Sequence, residues 1–190
     1  MSLQLVIVGG GPAGLSAAAR AQELGLDYLL LEAGPAHANT IQRYQKGKHV
    51  MDEPALVPLR SSLAFVAGSR EQVLDAWQHG FERLAVNIRF GCEVTAIARQ
   101  PGKFVLTLKG SEEVVAEKLV LAIGLQGNPR KLGVPGEGNG IVQYTLDDPG
   151  EYNEETIVIV GAGDAAIENA LALAKNNNVV IVNRRDEFAR

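Results

Sequence analysis

Near its start, the chain carries the glycine pattern Gly9-x-Gly11-x-x-Gly14 between a short apolar run and an alanine-rich segment. Residues 3–8 predict a strand buried on both faces of a parallel sheet, and residues 13–24 predict a helix. The first glycine permits a tight turn, the second lets the backbone approach a pyrophosphate, and the third lets helix and strand pack closely. The N-terminus of the helix would face the anion. The pattern therefore predicts a dinucleotide site in an α/β fold.

The next apolar segment, residues 28–31, predicts a second buried strand that ends at Glu32. Strand, helix and strand then form a βαβ unit with a right-handed crossover. Glu32 lies near the position, about 20 residues after the glycines, where a carboxylate accepts hydrogen bonds from ribose hydroxyls. We interpret Gly9, Gly11, Gly14 and Glu32 as one nucleotide site. The alternative is a plain turn with a capping carboxylate.

Residues 34–69 contain three prolines and a basic cluster, and they predict a long excursion outside the sheet. Ser69 and Gln72 match a capping box, which predicts that a helix begins there. The apolar residues of this helix recur at helical spacing, so we expect the following five in the core: Val73, Leu74, Trp77, Phe81 and Leu84.

Further β structure follows this helix. Residues 86–90 and 93–98 predict two β stretches. Residues 103–110 and the segment after them predict a hairpin that leads into a buried strand over 119–123. The glycine-rich segment 124–140 then predicts a crossing loop.

A second glycine pattern, Gly161-x-Gly163-x-x-Ala166, repeats the first one near the other end of the chain. It lies between a predicted strand over 157–160 and a predicted helix over 165–175. The pattern therefore predicts a second dinucleotide site, in which a glycine turn and a helix N-terminus again bind the pyrophosphate.

The last predicted strand, residues 179–182, is followed by Asn183, Arg184 and Arg185 where the first unit has an acid. An acidic residue there would repel a 2′-phosphate, whereas a guanidinium binds it through paired, charge-assisted hydrogen bonds. The second site is therefore predicted to prefer NADP over NAD. The alternative is a solvated arginine pair at a strand end.

Three segments are expected along the chain. A nucleotide-binding domain spans residues 1–125, a crossing linker spans 126–155, and the first βαβ unit of a second domain spans 156–190. A lone βαβ unit cannot bury its own faces. We therefore expect the second domain to be truncated and the chain to be the N-terminal part of a longer protein.

Composition and charge exclude several classes of partner. The formal net charge is −4 and the basic residues are scattered, which argues against nucleic acid. No stretch approaches 18 uninterrupted apolar residues and no leader pattern follows Met1, so we expect a cytoplasmic protein with no membrane partner. Cys92, the only cysteine, is expected to be a small buried residue and not a reactive thiol. No metal site is expected.

These features resemble the two-dinucleotide-binding flavoproteins, and within them the thioredoxin-reductase-like group, which includes bacterial ferredoxin–NADP reductases of that fold. Three further stretches are similar to that group: EKLVLAIG before the crossing, RKLGVPGE within it and VNRRDEFAR after the last strand. The resemblance implies FAD at the first pattern and NADPH at the second. It also implies a FAD/NAD(P)-binding, Rossmann-like three-layer α/β fold, with a parallel sheet, helices and a small β meander, followed by the start of a second Rossmann-like unit.

The resemblance also implies a set of cofactor contacts. Val94 would meet the adenine through its backbone, and Asn183 replaces a histidine of the group, which weakens the adenine-side contacts of NADPH. The residues expected at FAD are Gly9, Gly11, Pro12, Ala13, Gly14, Glu32, Ala33, Val94, Ala122 and Gly124. The residues expected at NADPH are Gly161, Gly163, Asp164, Ala166, Arg184 and Arg185. Two alternatives stay open: NAD at the first site, and a plain helix cap for Asp164.

The sequence departs from the thioredoxin reductases at one functional point. Those enzymes carry Cys-x-x-Cys where this chain has GIVQYTLDDPGEYNEET. Thiol–disulfide exchange needs two sulfurs, so we expect no reduction of thioredoxin by that route. Ferredoxin–NADP reductase-like and bacillithiol-disulfide-type enzymes, which lack the pair, are more similar. The FxGxxxHxxx(W/D) string of flavin monooxygenases is also absent.

The expected function is that of an FAD-dependent NAD(P)H oxidoreductase that passes hydride from NADPH to FAD and electrons to an unidentified acceptor. That acceptor is a small molecule, a ferredoxin-like protein or a fused domain. The cofactors supply the chemistry, so no side chain is nominated as catalytic. We expect the longer parent to be a homodimer and this chain alone to be inactive. The competing hypothesis is a non-catalytic nucleotide-binding or regulatory module of a larger protein.

Several single residues outside the patterns have two interpretations each. His37 and His49 lie in the excursion that, in relatives, approaches the isoalloxazine ring, and either could steer a proton; a solvated loop histidine is the favoured interpretation. Lys46 and Lys48 could serve an anionic flavin or substrate group, with a solvated loop as the default. His79 is expected at the surface of its helix.

Overall fold

The computed structural model describes residues 2–51, 60–125, 127 and 129–188. The chain divides into two compact units, Met1–Gln42 with His49–Lys131 and Arg43–Lys48 with Leu132–Arg190. The first unit contains β1 Leu3–Val8, α1 Pro12–Glu23, β2 Tyr28–Leu31, α2 Asn39–Gln42, β3 His49–Val50, β4 Gly68–Ser69, α3 Arg70–Arg83, β5 Ile88–Arg89, β6 Val94–Gln100, β7 Lys103–Leu108 and β8 Glu113–Leu121. The second unit contains β9 Thr156–Val160, α4 Asp164–Leu173 and β10 Asn178–Val182.

A six-stranded sheet with the order β5-β2-β1-β8-β7-β6 forms the centre of the first unit. Strand β1 pairs in parallel with β2 and β8, and β2 pairs in parallel with β5. Strand β7 is antiparallel to both β6 and β8. This arrangement confirms the predicted combination of a parallel sheet with a small β meander. The largest fully buried side chains are Val6, Ile7, Leu15, Leu30, Leu31 and Leu106.

Helix α1 contacts β1 and β2 and begins one residue before the predicted helix, at Pro12. Proline is favourable at the first helical position because its missing N–H would have no partner there and its φ fits the helix. The buried Ala18 and Ala19 allow the helix to lie close to the strands. Gly25, with φ of +65°, ends the helix in the left-handed conformation, as predicted.

Helix α3 begins at the predicted capping box. Ser69 Oγ accepts a hydrogen bond from the Gln72 N–H, and the Ser69 N–H donates to Gln72 Oε1. Val73 and Trp77 are buried, as predicted. The core prediction is wrong for three other apolar residues, which are half-buried because only one stripe of the helix is covered: Leu74, Phe81 and Leu84.

One continuous strand, β8, replaces the predicted hairpin arm and separate strand over 119–123. Its first half pairs with β7, where Ala116 lies beside Phe104, and its second half pairs with β1, where Leu121 lies beside Val8. No turn is needed, because β1 and β7 lie on opposite edges of the same strand. The prediction of burial is also wrong at this end, where Leu121 is 56% exposed.

In the second unit, β9 and β10 are parallel neighbours and α4 connects them, as predicted. Helix α4 ends at Leu173, two residues before the predicted end. One face of the two strands exposes four valines to solvent: Val158, Val160, Val180 and Val182. The crossing segment contains two short 3-10 turns, Glu137–Asn139 and Pro149–Glu151. None of the helices in the described ranges has the length and apolar character needed to cross a membrane.

Candidate functional site

The first glycine turn lies between the carboxyl end of β1 and helix α1. Gly9 has φ of +104°, and a Cβ built there would lie 2.4 Å from the carbonyl oxygen of Ala122. A Cβ built on Gly14 would lie 1.8 Å from the carbonyl oxygen of Gly9. Neither position has room for a side chain, so these two glycines are required for β1, α1 and the residue after β8 to pack closely.

Gly11 differs from Gly9 and Gly14, because a Cβ built on it would have no atom of the described residues within 4 Å. It is the N-cap residue of α1, and no side chain in the described ranges makes a capping hydrogen bond there. The N–H groups of Ala13 and Gly14 in the first turn have no intrahelical partner, and Pro12 has no N–H to satisfy. The first turn of α1 therefore offers backbone donors at the positive end of a helix dipole, and the place of a side chain on Gly11 is open, which fits a pyrophosphate.

Glu32 follows β2 directly and is only 7% exposed. Its Oε2 accepts a hydrogen bond from the Gly10 N–H and its Oε1 accepts one from the Gly34 N–H, both at 2.6 Å. The carboxylate thereby joins the glycine turn to the segment after β2. Each carboxylate oxygen has more than one lone pair, so Glu32 can still accept a hydrogen bond from a ribose hydroxyl.

Two further predicted residues follow β8 at the same end of the sheet. The Ala122 N–H donates to the carbonyl oxygen of Val8 at 2.8 Å, which continues the pairing of β1 and β8 past the last strand residue. Gly124 is exposed and has φ of +63°, so the chain turns there in a conformation that favours glycine. The structure therefore brings Ala122 into direct contact with the glycine turn.

A backbone hydrogen bond joins the segment before β6 to the acidic residue. The Cys92 N–H donates to the carbonyl oxygen of Glu32 at 2.8 Å, and Val94 begins β6 two residues later. Ala33, next to Glu32, is exposed. Cys92 itself is buried, as predicted, and its Sγ donates to the carbonyl oxygen of Phe90. Glu32, Ala33 and Val94 are thus held in one neighbourhood beside the glycine turn.

The second glycine turn lies between β9 and α4. Gly161 has φ of +116°, and its N–H donates to the carbonyl oxygen of Val182 at 2.8 Å. Within the described part of the chain, no atom lies within 4 Å of a Cβ built on Gly161 or Gly163. Gly163 is the N-cap residue and no described side chain caps it, so Asp164 does not make the helix-cap hydrogen bond considered for it. The Ala166 N–H bonds back to the carbonyl oxygen of Gly163.

Asn183 organises the arginine segment after β10. Its side-chain amide donates to the carbonyl oxygens of Arg185 and Glu187, each at 2.7 Å, and its Oδ1 accepts from the Arg184 N–H at 3.0 Å. Both arginines are exposed. Sequence reasoning treated Asn183 only as a lost histidine and missed this role. The signal was present, since asparagine after a strand often bonds to the backbone of the following turn.

The expectation of a solvated loop histidine is wrong for His37. The residue is 4% exposed, its ring meets Phe81 edge to face at 5.1 Å, and its Nδ1 has no hydrogen-bond partner among the described residues. Burial lowers the pKa of His37, and a hydrogen bond with the Gln78 side chain opposes that shift. His49 and His79 are exposed, so the surface position predicted for His79 is confirmed.

The default expectation of a solvated side chain is also wrong for Lys48. Its side chain is 17% exposed and forms an ion pair with Glu168 on α4, within the second unit. Lys46 is exposed, as expected, and its Nζ lies 3.3 Å from Asp148 Oδ2. The Gly150 N–H, and then Lys46, hold the pKa of Asp148 below its usual value.

Fold and turns together define an α/β nucleotide-binding protein with two glycine turns. Residues 6–190 match the family model described as pyridine nucleotide-disulphide oxidoreductase, and the chain belongs to that family. It is 32% identical to the ferredoxin–NADP reductase of Ignicoccus hospitalis over 96% of this chain and 57% of that protein. It is 29% identical to the thioredoxin reductase of Helicobacter pylori over 98% of this chain and 57% of that protein.

Among solved structures, the bacillithiol disulfide reductase of Bacillus cereus is similar to this chain, with a TM-score of 0.88 and 25% identity. The match covers 99% of this chain and 60% of that one. The chain therefore spans less than two thirds of the length of these relatives. The family and the architecture agree with the resemblance noted in the sequence.

Proposed function

We propose that the chain is part of an FAD-dependent NAD(P)H oxidoreductase, with FAD at the first glycine turn and NADPH at the second. The observation that carries this proposal is the pair of turns, each with open space before an uncapped helix N-terminus. Membership of the family supports the same assignment. We propose the redox activity for the whole protein and not for this chain alone, because the chain spans only 57% of the length of the ferredoxin–NADP reductase that it matches.

At the first turn, the backbone donors after Gly11 would bind the FAD pyrophosphate, while Glu32 would accept a hydrogen bond from the adenosine ribose. Val94 would meet the adenine through its backbone. The buried position of Glu32 supports this role, because two backbone N–H groups already fix the orientation of its carboxylate. The other residues proposed at this site are Gly9, Pro12, Ala13, Gly14, Ala33, Ala122 and Gly124.

At the second turn, Gly161 and Gly163 would give the NADPH pyrophosphate access to the first turn of α4. Arg184 and Arg185 would bind the 2′-phosphate, and their exposure leaves both guanidinium groups accessible. Asn183 supports this proposal, because its side chain bonds to the backbone of the segment that presents the two arginines. Asp164 and Ala166 complete the proposed set.

Hydride and electron transfer are the chemistry that a bound flavin supplies. The residues of this chain would bind and orient the two dinucleotides, and none is proposed to act as a nucleophile or a general base. The proposed arrangement of the chain keeps the FAD-binding domain at 1–125, the crossing linker at 126–155 and the start of the NADPH-binding domain at 156–190.

The electron acceptor is proposed to be a small molecule, a ferredoxin-like protein or a fused domain. Relatives are named for ferredoxin, thioredoxin and bacilliredoxin. The single cysteine supports an acceptor that needs no dithiol from these residues. We also propose that the whole protein is a cytoplasmic homodimer.

The first experiment is a visible absorption spectrum of the purified chain before and after FAD is added. A flavin band that stays with the protein through gel filtration is the expected result. NADPH oxidation with ferricyanide by the longer parent tests the redox activity. An FAD-bound, NADPH-binding parent without turnover would support a regulatory module instead. A parent that binds no flavin would overturn the FAD assignment.

A further inference from the structure

Residues Arg43–Lys48 form part of the second unit, although more than 80 residues of the first unit separate them from the rest of it. The Lys46 N–H donates to the carbonyl oxygen of Asp147 at 2.7 Å. Lys46 Nζ forms the ion pair with Asp148 at the start of a 3-10 turn. These contacts place Lys48 where it can reach helix α4.

Lys48 is the less exposed partner of its ion pair. Its side chain is 17% exposed, while that of Glu168 is 41% exposed. Lys48 Nζ also lies 5.3 Å from the centroid of the Tyr44 ring, so a carboxylate and an aromatic face both contact the ammonium group. A lysine that is enclosed in this way is held in place and does not extend freely into solvent.

Glu168 lies close to the proposed phosphate site. It is five residues after the N-cap Gly163, which corresponds to about 7.5 Å along the helix axis at about 1.5 Å per residue. An unneutralised carboxylate at that depth would repel an anion at the helix N-terminus and would offset the attraction of the helix dipole for that anion. Lys48 supplies the compensating charge from a segment distant in sequence.

We propose that Lys48 sets the affinity of the second glycine turn for an anionic dinucleotide by neutralising Glu168. Lys48 is thus a positioning residue that acts through charge, and it touches no reacting atom. This inference rests on the proposed function of the second turn. The effect acts on the pyrophosphate, which NADPH and NADH share, whereas Arg184 and Arg185 act on the 2′-phosphate, which only NADPH carries.

The test measures the dissociation constants of NADPH and NADH by nicotinamide fluorescence for the full chain and its variants at low salt. Lys48→Gln should raise both constants about three- to tenfold, because it leaves Glu168 unpaired. The Lys48→Gln/Glu168→Gln double variant should return both constants to within about twofold of the original, since neither charge is then present. In 0.5 M NaCl the effect of Lys48→Gln should shrink.

Two variants serve as controls. Lys46→Gln removes an exposed lysine of the same segment and should change neither constant by more than about twofold. Lys48→Arg keeps the charge and should preserve the affinity. Far-UV circular dichroism of each variant reports whether the chain is folded.

The possible results separate three conclusions. If the original chain binds NADPH and Lys48→Gln binds it equally well, the inference is wrong. If the double variant stays as weak as Lys48→Gln, Lys48 acts as a mechanical clamp and the charge explanation is overturned. If the original chain binds neither nucleotide, the proposed function of the second turn fails, and this failure is visible before any variant is made.

Discussion

The two glycine turns share a sequence pattern but differ in their surroundings. At the first turn, a Cβ on Gly9 or Gly14 would collide with backbone atoms, whereas a Cβ on Gly161 or Gly163 would meet no atom of the described residues within 4 Å. Strand β8 lies beside β1 at the first turn, while β9 pairs only with β10 among the described residues. Glycines at equivalent positions of the two patterns can therefore be required for different reasons: close packing at the first turn, and backbone conformation or ligand approach at the second.

The third position of the pattern shows the same difference. Gly14 has its virtual Cβ 1.8 Å from the carbonyl oxygen of Gly9, while the second copy accommodates the methyl group of Ala166 in a half-buried position. Helix and strand approach each other more closely at the first turn. Substitutions at the two turns should therefore have unequal effects.

The largest effect is expected from Gly14→Ala. The new methyl group would force α1 away from Gly9, and overpacking of this severity should lower the free energy of unfolding by about 3 kcal/mol or more. Urea unfolding of the chain measures the change. The control is Gly163→Ala, at the position that Gly11 has in the first pattern, which has open space among the described residues and should cost about 1 kcal/mol or less as an N-cap change. Similar losses for both variants would contradict the steric collision at Gly14.

The next largest effect is expected from Glu32→Gln. The amide offers one acceptor oxygen where the carboxylate has two, so the N–H of Gly10 or Gly34 would face a donor. Leaving a buried N–H unpaired should lower the free energy of unfolding by about 1–3 kcal/mol. Asp164→Asn makes the same chemical change at the exposed start of α4 and should cost about 0.5 kcal/mol or less. Urea unfolding of both variants would show whether the acid has a structural role at the first turn only.

A binding effect is expected from Arg184→Ala combined with Arg185→Ala. Loss of the charge-assisted hydrogen bonds should raise the dissociation constant of NADPH about tenfold, or about 1.4 kcal/mol, with little change for NADH. Fluorescence titration with both nucleotides measures the ratio. If the dissociation constants of NADPH and NADH rise equally, the two arginines do not bind the 2′-phosphate, and the second turn has no residue assigned to nucleotide specificity.

The smallest effect is a pH dependence at the first turn. Burial lowers the pKa of His37 in the folded chain from its ordinary value of 6.5. Between the pKa of His37 in the folded chain and its pKa in the unfolded chain, the unfolded chain binds more protons. The contribution of His37 to stability is therefore full above about pH 6.5 and is lost as the pH falls below that value toward the lowered pKa of the folded chain. His37 matters to this turn because the neighbouring Ala38 N–H donates to the carbonyl oxygen of Gly10 at 2.7 Å.

His37→Gln should therefore reduce the loss of stability between neutral and mildly acidic pH, as measured by urea unfolding at several pH values. The control His79→Gln removes an exposed histidine of α3 and should change the free energy of unfolding at neutral pH by about 0.5 kcal/mol or less. If the free energy of unfolding of His37→Gln falls with decreasing pH as steeply as that of the original chain, the buried imidazole does not contribute to the acid sensitivity of the chain.

The sequence predicted the helices and strands better than it predicted the side-chain contacts of the irregular segment. Lys48 and His37 lie in an irregular segment with no periodicity, so a solvated position was the reasonable default. Their burial depends on α4 in one case and on Phe81 of α3 in the other. Such contacts join residues that are distant in the chain, and no local spacing encodes them.

The sequence by itself determined both βαβ units, the two glycine turns, the capping box of α3 and the buried Cys92. These features depend on local rules: apolar runs, helical spacing and the freedom of glycine to adopt positive φ. Local rules predict elements well because each is satisfied by residues within a few positions of one another.

Only the tertiary structure decided what each turn requires. It placed the end of β8 against β1, so that Gly9 has no room for a side chain beside Ala122, and it brought the Glu32 carboxylate within hydrogen-bond distance of two backbone N–H groups. It also paired Lys48 with Glu168 across more than 100 residues of chain. The physical reason is that steric exclusion and ion pairing depend on distances in space, which are established when the strands pair and the helices pack.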